Sequence, residues 1–183
     1  MSKKTFISDI QSIRSAAREK ISQGVITKHY AGDLKTILGL LNDALATEVV
    51  CTLRYKSHHF KATALGASVA AAEFLEHSDQ ERQHADQLAA RILQLGGTPN
   101  FNPATLSQRS HADYVECETV ADMIKENLIA ERIAIDIYRE VIKYIGDDDP
   151  TTRRILEELL AVEEEHADDL LDLKAEYHVD FED

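Results

Sequence analysis

Hydrophobic residues recur at alternating steps of three and four along four long stretches of the chain, the spacing that lines one face of an α-helix. In the first stretch that face reads Leu34, Leu38, Leu41, Leu45, Glu48, Thr52, Tyr55, His59. The second reads Phe74, His77, Glu81, His84, Leu88, Ile92, Leu95, and the third Ile124, Leu128, Glu131, Ile135, Tyr138, Ile142, Ile145. The fourth reads Ile155, Leu159, Glu163, His166, Leu170, Leu173. Local punctuation sets the limits. Asp33 is suited to cap a helix running to about Lys61, and the next runs from about Ala67 to Leu95, where Gly96 and Gly97 precede Pro99 and Pro103. Thr119 with Asp122 resembles the cap of a third helix, which ends at "GDDDP"; Asp149 and Pro150 then open the last as N-cap and first residue. A short amphipathic helix is expected over roughly residues 4–22, ending near Gly24.

Links between the first and second and between the third and fourth long helices are short, so each pair is antiparallel; the middle link of about 20 residues is long enough to cross the length of a bundle. The fold expected is all-α: a four-helix bundle with one long crossover over residues 33–176. An extension with the short helix covers 1–32, and an acidic tail 177–183. Only seven Gly and three Pro in 183 residues agree with a helical single domain. No apolar stretch approaches the ~20 residues of a membrane span, and "MSKKTFISDI" lacks a signal-peptide core. Two cysteines, Cys51 and Cys117, make no disulfide framework, which leaves the cytoplasm as the expected location. A net charge of −13 disfavours nonspecific nucleic-acid binding and attracts cations, although Lys3, Lys4, Arg14, Arg18 and Lys20 make the N-terminal segment locally basic.

Every apolar face carries a glutamate near its middle, and two add a histidine one turn later, about 60° around the helix. These two pairs, Glu81–His84 and Glu163–His166, sit in repeated Glu-x-x-His-Ala-Asp motifs. A single such pair in an acidic helical protein says little, because a solvated mixed face gives the same pattern. Four glutamates at core positions, one per helix, are different. Buried carboxylates cost several kcal/mol each unless they are paired or bound to metal, and no Lys or Arg lies on these faces. Four carboxylates and two imidazoles supply the charge and ligand count for two divalent cations inside a bundle. Oxygen-rich sites with some imidazole suit iron or manganese, with zinc or cobalt as substitutes.

At these residues the chain resembles the ferritin superfamily, and within it the bacterioferritins and Dps-like ferritins, over roughly residues 33–175. The segments that carry the resemblance are "LNDALATEVVCTLRY", "ERQHADQLAARILQLGGTPN", "AERIAIDIYREVI" and "EEEHADDLLDL". The resemblance implies Glu48 and His84 as terminal ligands of one metal, Glu131 and His166 of the other, and Glu81 with Glu163 bridging. Tyr55 stands as the tyrosine two turns beyond Glu48, a hydrogen-bond donor to a bridging glutamate or an electron donor. It implies an enzyme, a ferroxidase oxidising Fe(II) with O2 or H2O2 at two iron ions per subunit and storing Fe(III) mineral in a hollow homo-oligomer.

Departures from the bacterioferritin pattern refine this. Arg82 occupies the position of the haem-binding methionine, and the only methionines are Met1 and Met123, so no haem is expected. Only 17 residues follow His166, leaving no room for a fifth helix; with the Dps-type N-terminal extension this favours a 12-mer over a 24-mer. Cys51, one turn from Glu48, is either a redox thiol or, more commonly, a small buried hydrophobe. Two rival functions remain: a di-manganese or di-iron catalase or peroxidase on the same bundle, and a DNA-protecting Dps protein, against which the net charge speaks. Absence of any Cys-x-x-Cys disfavours a rubrerythrin. If Glu131 is buried in the cluster, Glu131→Leu is expected to raise the melting temperature of the metal-free protein; a change below ~0.5 kcal/mol would mark a solvated residue instead.

Overall fold

Side-chain oxygens open three of the four long helices in the computed structural model, which describes residues 9–181. Asp33 accepts from the Thr36 amide at 3.3 Å, Thr119 from that of Asp122 at 3.1 Å, and Asp149 from that of Thr152 at 3.0 Å with Pro150 behind it. Each cap satisfies an amide that has no partner within its helix. The elements are α1 (Ile10–Ala16), α2 (Leu34–Ala64), α3 (Ser68–Gln94), a single turn α4 (Leu106–Arg109), α5 (Val120–Ile145) and α6 (Pro150–Glu176). α3 has no side-chain cap. It follows α2 through a tight reversal at Gly66, whose φ of 76° excludes most side chains.

α2 packs along α3 and α5 along α6; α2 also meets α5 and α3 meets α6, closing a square. The pairings fix direction. Tyr138 meets Glu48 while Tyr55 meets Glu131, so α2 and α5 are antiparallel. The crossover between α3 and α5 lies on the α2/α5 face. Thr47 bonds His111, Arg54 donates to the Asp113 carbonyl, His58 meets the Val115 carbonyl, and Lys61 donates to that of Cys117. This is the all-α bundle with one long crossover that the periodicity predicts.

Apolar packing occupies both ends of the bundle. One cluster gathers Leu41, Leu45, Leu88, Ile92, Val141, Leu156 and Leu159, the other Phe74, Met123, Ile124, Leu128, Leu170 and Leu173. Each such side chain contributes about 1.5–3 kcal/mol by leaving water. The glutamates and histidines of the core faces lie between the two clusters.

Several expectations change. The chain leaves helix after Ala16, turns at Lys20 with φ of 50° and makes one 3-10 turn over Ile21–Gln23, so the first helix is shorter than residues 4–22; residues 4–8 lie outside those described. On α2 the buried face runs through Ile37, Leu41, Ala44, Glu48, Cys51, Tyr55, His58 and Ala62, while Leu34, Leu38, Thr52 and His59 are half-buried. On α6 Leu156 replaces Ile155, and Ile142 on α5 is half-buried. A strict three-four alternation drifts by ~20° per heptad from a straight helix, which accounts for slips far from the centre. α2 is also long and apolar enough to pass for a membrane span, with a mean hydropathy of 1.4 over 18 residues. Half of that stretch is buried inside the bundle, as in a core helix. Within the expected acidic tail, Tyr177, Val179 and Phe181 pack against the second apolar cluster, and residues 182–183 lie outside those described.

Arg91 is buried at the α3/α6 contact and forks onto Asp149 at 2.9 and 3.0 Å, with its Nε on Thr152 at 2.8 Å. Tyr30 donates to the same Asp149 at 2.9 Å and ties the N-terminal extension to the bundle. Despite its burial, hydrogen bonds from Thr152, then that from Tyr30 and the charge of Arg91, hold the Asp149 carboxyl below its usual range, so the contribution is present above the ordinary carboxylate pKa and is lost as pH falls through the lowered one. Asp149→Ala strands a buried guanidinium and removes a cap. Its cost at pH 7 is expected to be about 3–5 kcal/mol, read from melts of the metal-free protein; a loss below about 1 kcal/mol would contradict this.

Candidate metal centre

At the waist of the bundle each long helix turns one carboxylate inward: Glu48 from α2, Glu81 from α3, Glu131 from α5 and Glu163 from α6, none more than 2 % exposed. His84 and His166 join them one turn after Glu81 and Glu163, because three residues of helix bring both side chains to the same face. The fold brings together all six residues that sequence analysis places on the core faces.

The contacts are close but misaligned. His84 Nδ1 lies 3.0 Å from Glu163 Oε1 and 3.4 Å from both Glu48 Oε2 and Glu81 Oε2, and His166 Nδ1 lies 3.5 Å from Glu81 Oε1 and from Glu163 Oε2. Neither nitrogen has a hydrogen-bond partner, so each faces the space between the oxygens. Glu48, Glu81, Glu131 and Glu163 also present unpartnered oxygens. Among the described residues, seven of the ten buried side-chain atoms without a partner belong to this cluster. Native interiors pair nearly all such atoms, and a concentration of exceptions marks a ligand.

Ligand atoms of Glu48, Glu81, His84 and Glu163 lie within 4.8 Å of one another, as do those of Glu81, Glu131, Glu163 and His166. The two sets share Glu81 and Glu163, so the donors fit two cations bridged by two carboxylates. Their titration expresses the same crowding. Burial, then the charge of Glu81, pushes Glu48 up to about 8. Burial, Glu81 and Glu163 push Glu131 well above its ordinary value. Burial and Glu163 act in the same direction on Glu81, but its close approach to Glu48, His166 and His84 outweighs them and holds it low. Burial disfavours charge on the imidazoles, yet the surrounding carboxylates raise His84 strongly and bring His166 to about 11. Protons on these groups stand where cations would.

Two tyrosines brace the outer carboxylates. Tyr55 on α2 donates to Glu131 on α5, and Tyr138 on α5 donates to Glu48 on α2. The expected partner of Tyr55 was a bridging glutamate; the structure gives it Glu131 instead, because the tyrosine faces α5 across the bundle. From periodicity alone Tyr138 is expected only as a core position. Glu-x6-Tyr occurs once on each of these helices, Glu48–Tyr55 and Glu131–Tyr138, and that repeated spacing is the signal that identifies its role. Gln80 closes the cluster from the α3/α6 side, its Oε1 2.7 Å from His166 Nε2. Cys51 is buried beside Arg54, and burial pushes its thiol well up, leaving it protonated. Arg82 points outward on α3 and pairs with Asp86 at 3.2 Å.

The ferritin-like domain pattern matches residues 38–176. The chain belongs to the ferritin-like domain family. A bacterioferritin from Rhodobacter capsulatus is 32% identical over 141 residues, covering 75% of this chain and 81% of its own. The DNA protection during starvation protein of Pyrococcus furiosus is 31% identical over 143 residues, covering 73% and 74%. Among solved structures, the bacterioferritin-related protein of Bacteroides fragilis, described as a dodecameric thioferritin, superposes with a TM-score of 0.77 at 29% identity, covering 81% of this chain and 89% of that one.

The tyrosine braces alter what Glu131→Leu should do in this ferritin-like protein. Leucine removes a desolvated acid but strands the Tyr55 hydroxyl, at a cost of about 1–3 kcal/mol. Tyr55→Phe with Glu131→Leu removes both polar groups. The double variant is expected to exceed the metal-free wild type in stability by about 1 kcal/mol or more, with the single variant below the double. Melts of the three metal-free proteins decide; a double variant less stable than wild type would contradict a self-repelling cluster.

Proposed function

We propose that this ferritin-like protein is a ferroxidase that oxidises Fe(II) and stores the product within a homo-oligomeric shell. Family membership supports iron storage in general terms. The observation that carries the finer reading is the pair of ligand sets sharing Glu81 and Glu163. Glu48 and His84 would hold one iron, Glu131 and His166 the other, and the shared carboxylates would span both. Two adjacent Fe(II) ions can give two electrons to one oxidant in a single encounter; with H2O2 and two protons the products are two Fe(III) and two waters.

This chain's residues set the conditions for that transfer. Apolar clusters above and below exclude water and hold the carboxylates in fixed positions. Tyr55 and Tyr138 orient Glu131 and Glu48, leaving one oxygen of each free of hydrogen bonds. Gln80 holds His166 through Nε2, so Nδ1 stays directed at the cluster. The donor set of four carboxylates and two imidazoles also accepts manganese or zinc.

Assembly rests on separate observations. Leu53 and Phe60 lie one heptad apart on the outer side of α2 and are 53% and 64% exposed, apolar surface suited to burial between subunits. A dodecamer, as described for the Bacteroides fragilis protein, would have a mass of about 250 kDa from twelve 20.5 kDa chains. A DNA-protecting role is the reading suggested by the name of the Pyrococcus furiosus relative. The net charge of −13 opposes it.

Anaerobic titration of the assembled protein is expected to saturate at about two Fe(II) per chain, with rapid oxidation once H2O2 or O2 is added. Because His84, His166, Glu48 and Glu131 are raised, the metal-free site holds their protons at pH 7 and must release them to bind, so affinity should rise from pH 5 to pH 7. Saturation at one ion, or affinity independent of pH, would defeat the assignment. Sustained oxygen release from peroxide without Fe(II) would favour a catalase.

A further inference from the structure

An apolar stripe and an apolar groove lie on the N-terminal side of the same chain, and the two do not meet. In α1, Ile10 and Ile13 stand one turn apart and are 51% and 42% exposed, and of its seven residues only Ala16 is buried. α1 packs along none of the four long helices. Arg14 and Arg18, four residues apart, are exposed as well, so a basic edge runs beside the apolar one. The groove opens where α2 begins and α3 ends. Gly24 and Ile26 of the extension, Leu34 of α2, and Leu93, Leu95 and Gly96 at the end of α3 line about 340 Å³ of space. Leu93 is 62% exposed there, and Ile21 and Val25, next to lining residues in the chain, are exposed too.

Apolar surface gathered in one place marks a contact. The root of the extension is fixed: Tyr30 donates to Asp149 at 2.9 Å, and Tyr30 and Ile26 pack on the first apolar cluster. From that root the backbone turns at Gly24 and again at Lys20, with φ of 58° and 50°, and no α1 residue lines the groove. Stripe and groove of one chain are each left uncovered, the arrangement of an element exchanged between identical copies. Isoleucines spaced i, i+3 on a short helix are anchors of the kind that enter an apolar groove.

Charge selects the same occupant. Residues 1–20 carry five basic and two acidic side chains, so the net charge of −13 divides into +3 on this arm and −16 on the remainder. The arm is drawn to the acidic body of a neighbouring subunit, whereas nucleic acid is repelled by that body and offers a phosphate backbone where the isoleucines need an apolar receiver.

We propose that α1 of one chain docks through Ile10 and Ile13 into the groove beside Leu93 of a second copy, so that arms are exchanged within the homo-oligomer. This contact is separate from the outer side of α2 at Leu53 and Phe60. It rests on the assembly part of the proposed function and is independent of iron oxidation.

Ile10, Ile13, Val25 and Leu93 are exposed, so replacing them leaves the core intact. Ile10→Ser with Ile13→Ser removes the stripe, and Val25→Ser with Leu93→Ser removes the apolar wall of the groove. Sedimentation is expected to show each pair dissociating at about tenfold higher protein concentration than wild type. Combining the two pairs should add little, because both remove one contact. Unchanged dissociation in both, or full additivity in the combination, would overturn the exchange. Ile13→Cys with Leu93→Cys reads the partner directly, since Cys51 and Cys117 are buried. Under oxidising conditions a non-reducing gel should show disulfide-linked multimers beyond those of either single variant; a link within one chain, or no link, would overturn the proposal. Salt-sensitive retardation of DNA that Ile10→Ser with Ile13→Ser abolishes, with dissociation unchanged, would assign the arm to DNA instead. A monomeric wild type would sink the shell reading together with the exchange, whereas an assembled wild type with unaffected variants would sink the exchange alone.

Discussion

Four carboxylates buried at the waist of an apolar bundle are the constraint on which the rest of this structure depends. Left ionised and unpaired, they would each cost several kcal/mol in desolvation and would repel one another. Among the described residues no lysine or arginine reaches them, and only the cluster's own histidines offset their charge. The two buried arginines are engaged elsewhere, Arg91 with Asp149 and Arg54 with Asn127 and the crossover. Tension at the waist is therefore carried by the apolar clusters on either side and relieved by protons in the metal-free state or by metal when bound. A site of this kind trades stability for function, and both the tyrosine braces and the orphaned ligand atoms follow from that trade.

The site is also built twice. α2 with α3 supplies a Glu-x6-Tyr helix followed by a Glu-x-x-His helix, and α5 with α6 supplies the same pair. Antiparallel packing of the two hairpins crosses the tyrosines, so each braces the glutamate of the other half. Two equivalent half-sites sharing two carboxylates form a symmetrical cage, which under the proposed function would take two like ions. The pseudo-symmetry is broken around His77. No histidine stands one turn before Glu163, where Leu159 packs instead, so the α3/α6 surface alone offers an additional imidazole.

Helices, caps and the six polar core residues were legible in sequence because each is a local signal: apolar periodicity, a capping oxygen, a proline after it, and an acid interrupting an apolar face. Their convergence could be anticipated because all four interruptions fall near mid-helix. Pairings across long sequence separations were not legible. Nothing beside Arg91 indicates Asp149 as its partner, and nothing beside His77 indicates Asp169, since these contacts depend on the rotation and stagger of α3 against α6. The face of α2 drifted for a related reason, a fixed three-four step losing register over 31 residues. Tyr138 is a different case. Its spacing from Glu131 repeats that of Tyr55 from Glu48, and comparison of the two halves would have revealed it.

The central claim is that this waist holds two cations between shared carboxylates. Anomalous diffraction at the iron edge, from crystals loaded with Fe(II) without oxygen, tests it most directly. The account predicts two peaks about 3.5–4 Å apart in each chain, with Glu81 and Glu163 between them, Glu48 and His84 on one, and Glu131 and His166 on the other. A single peak at the waist, or iron bound only at the surface acids, would contradict it.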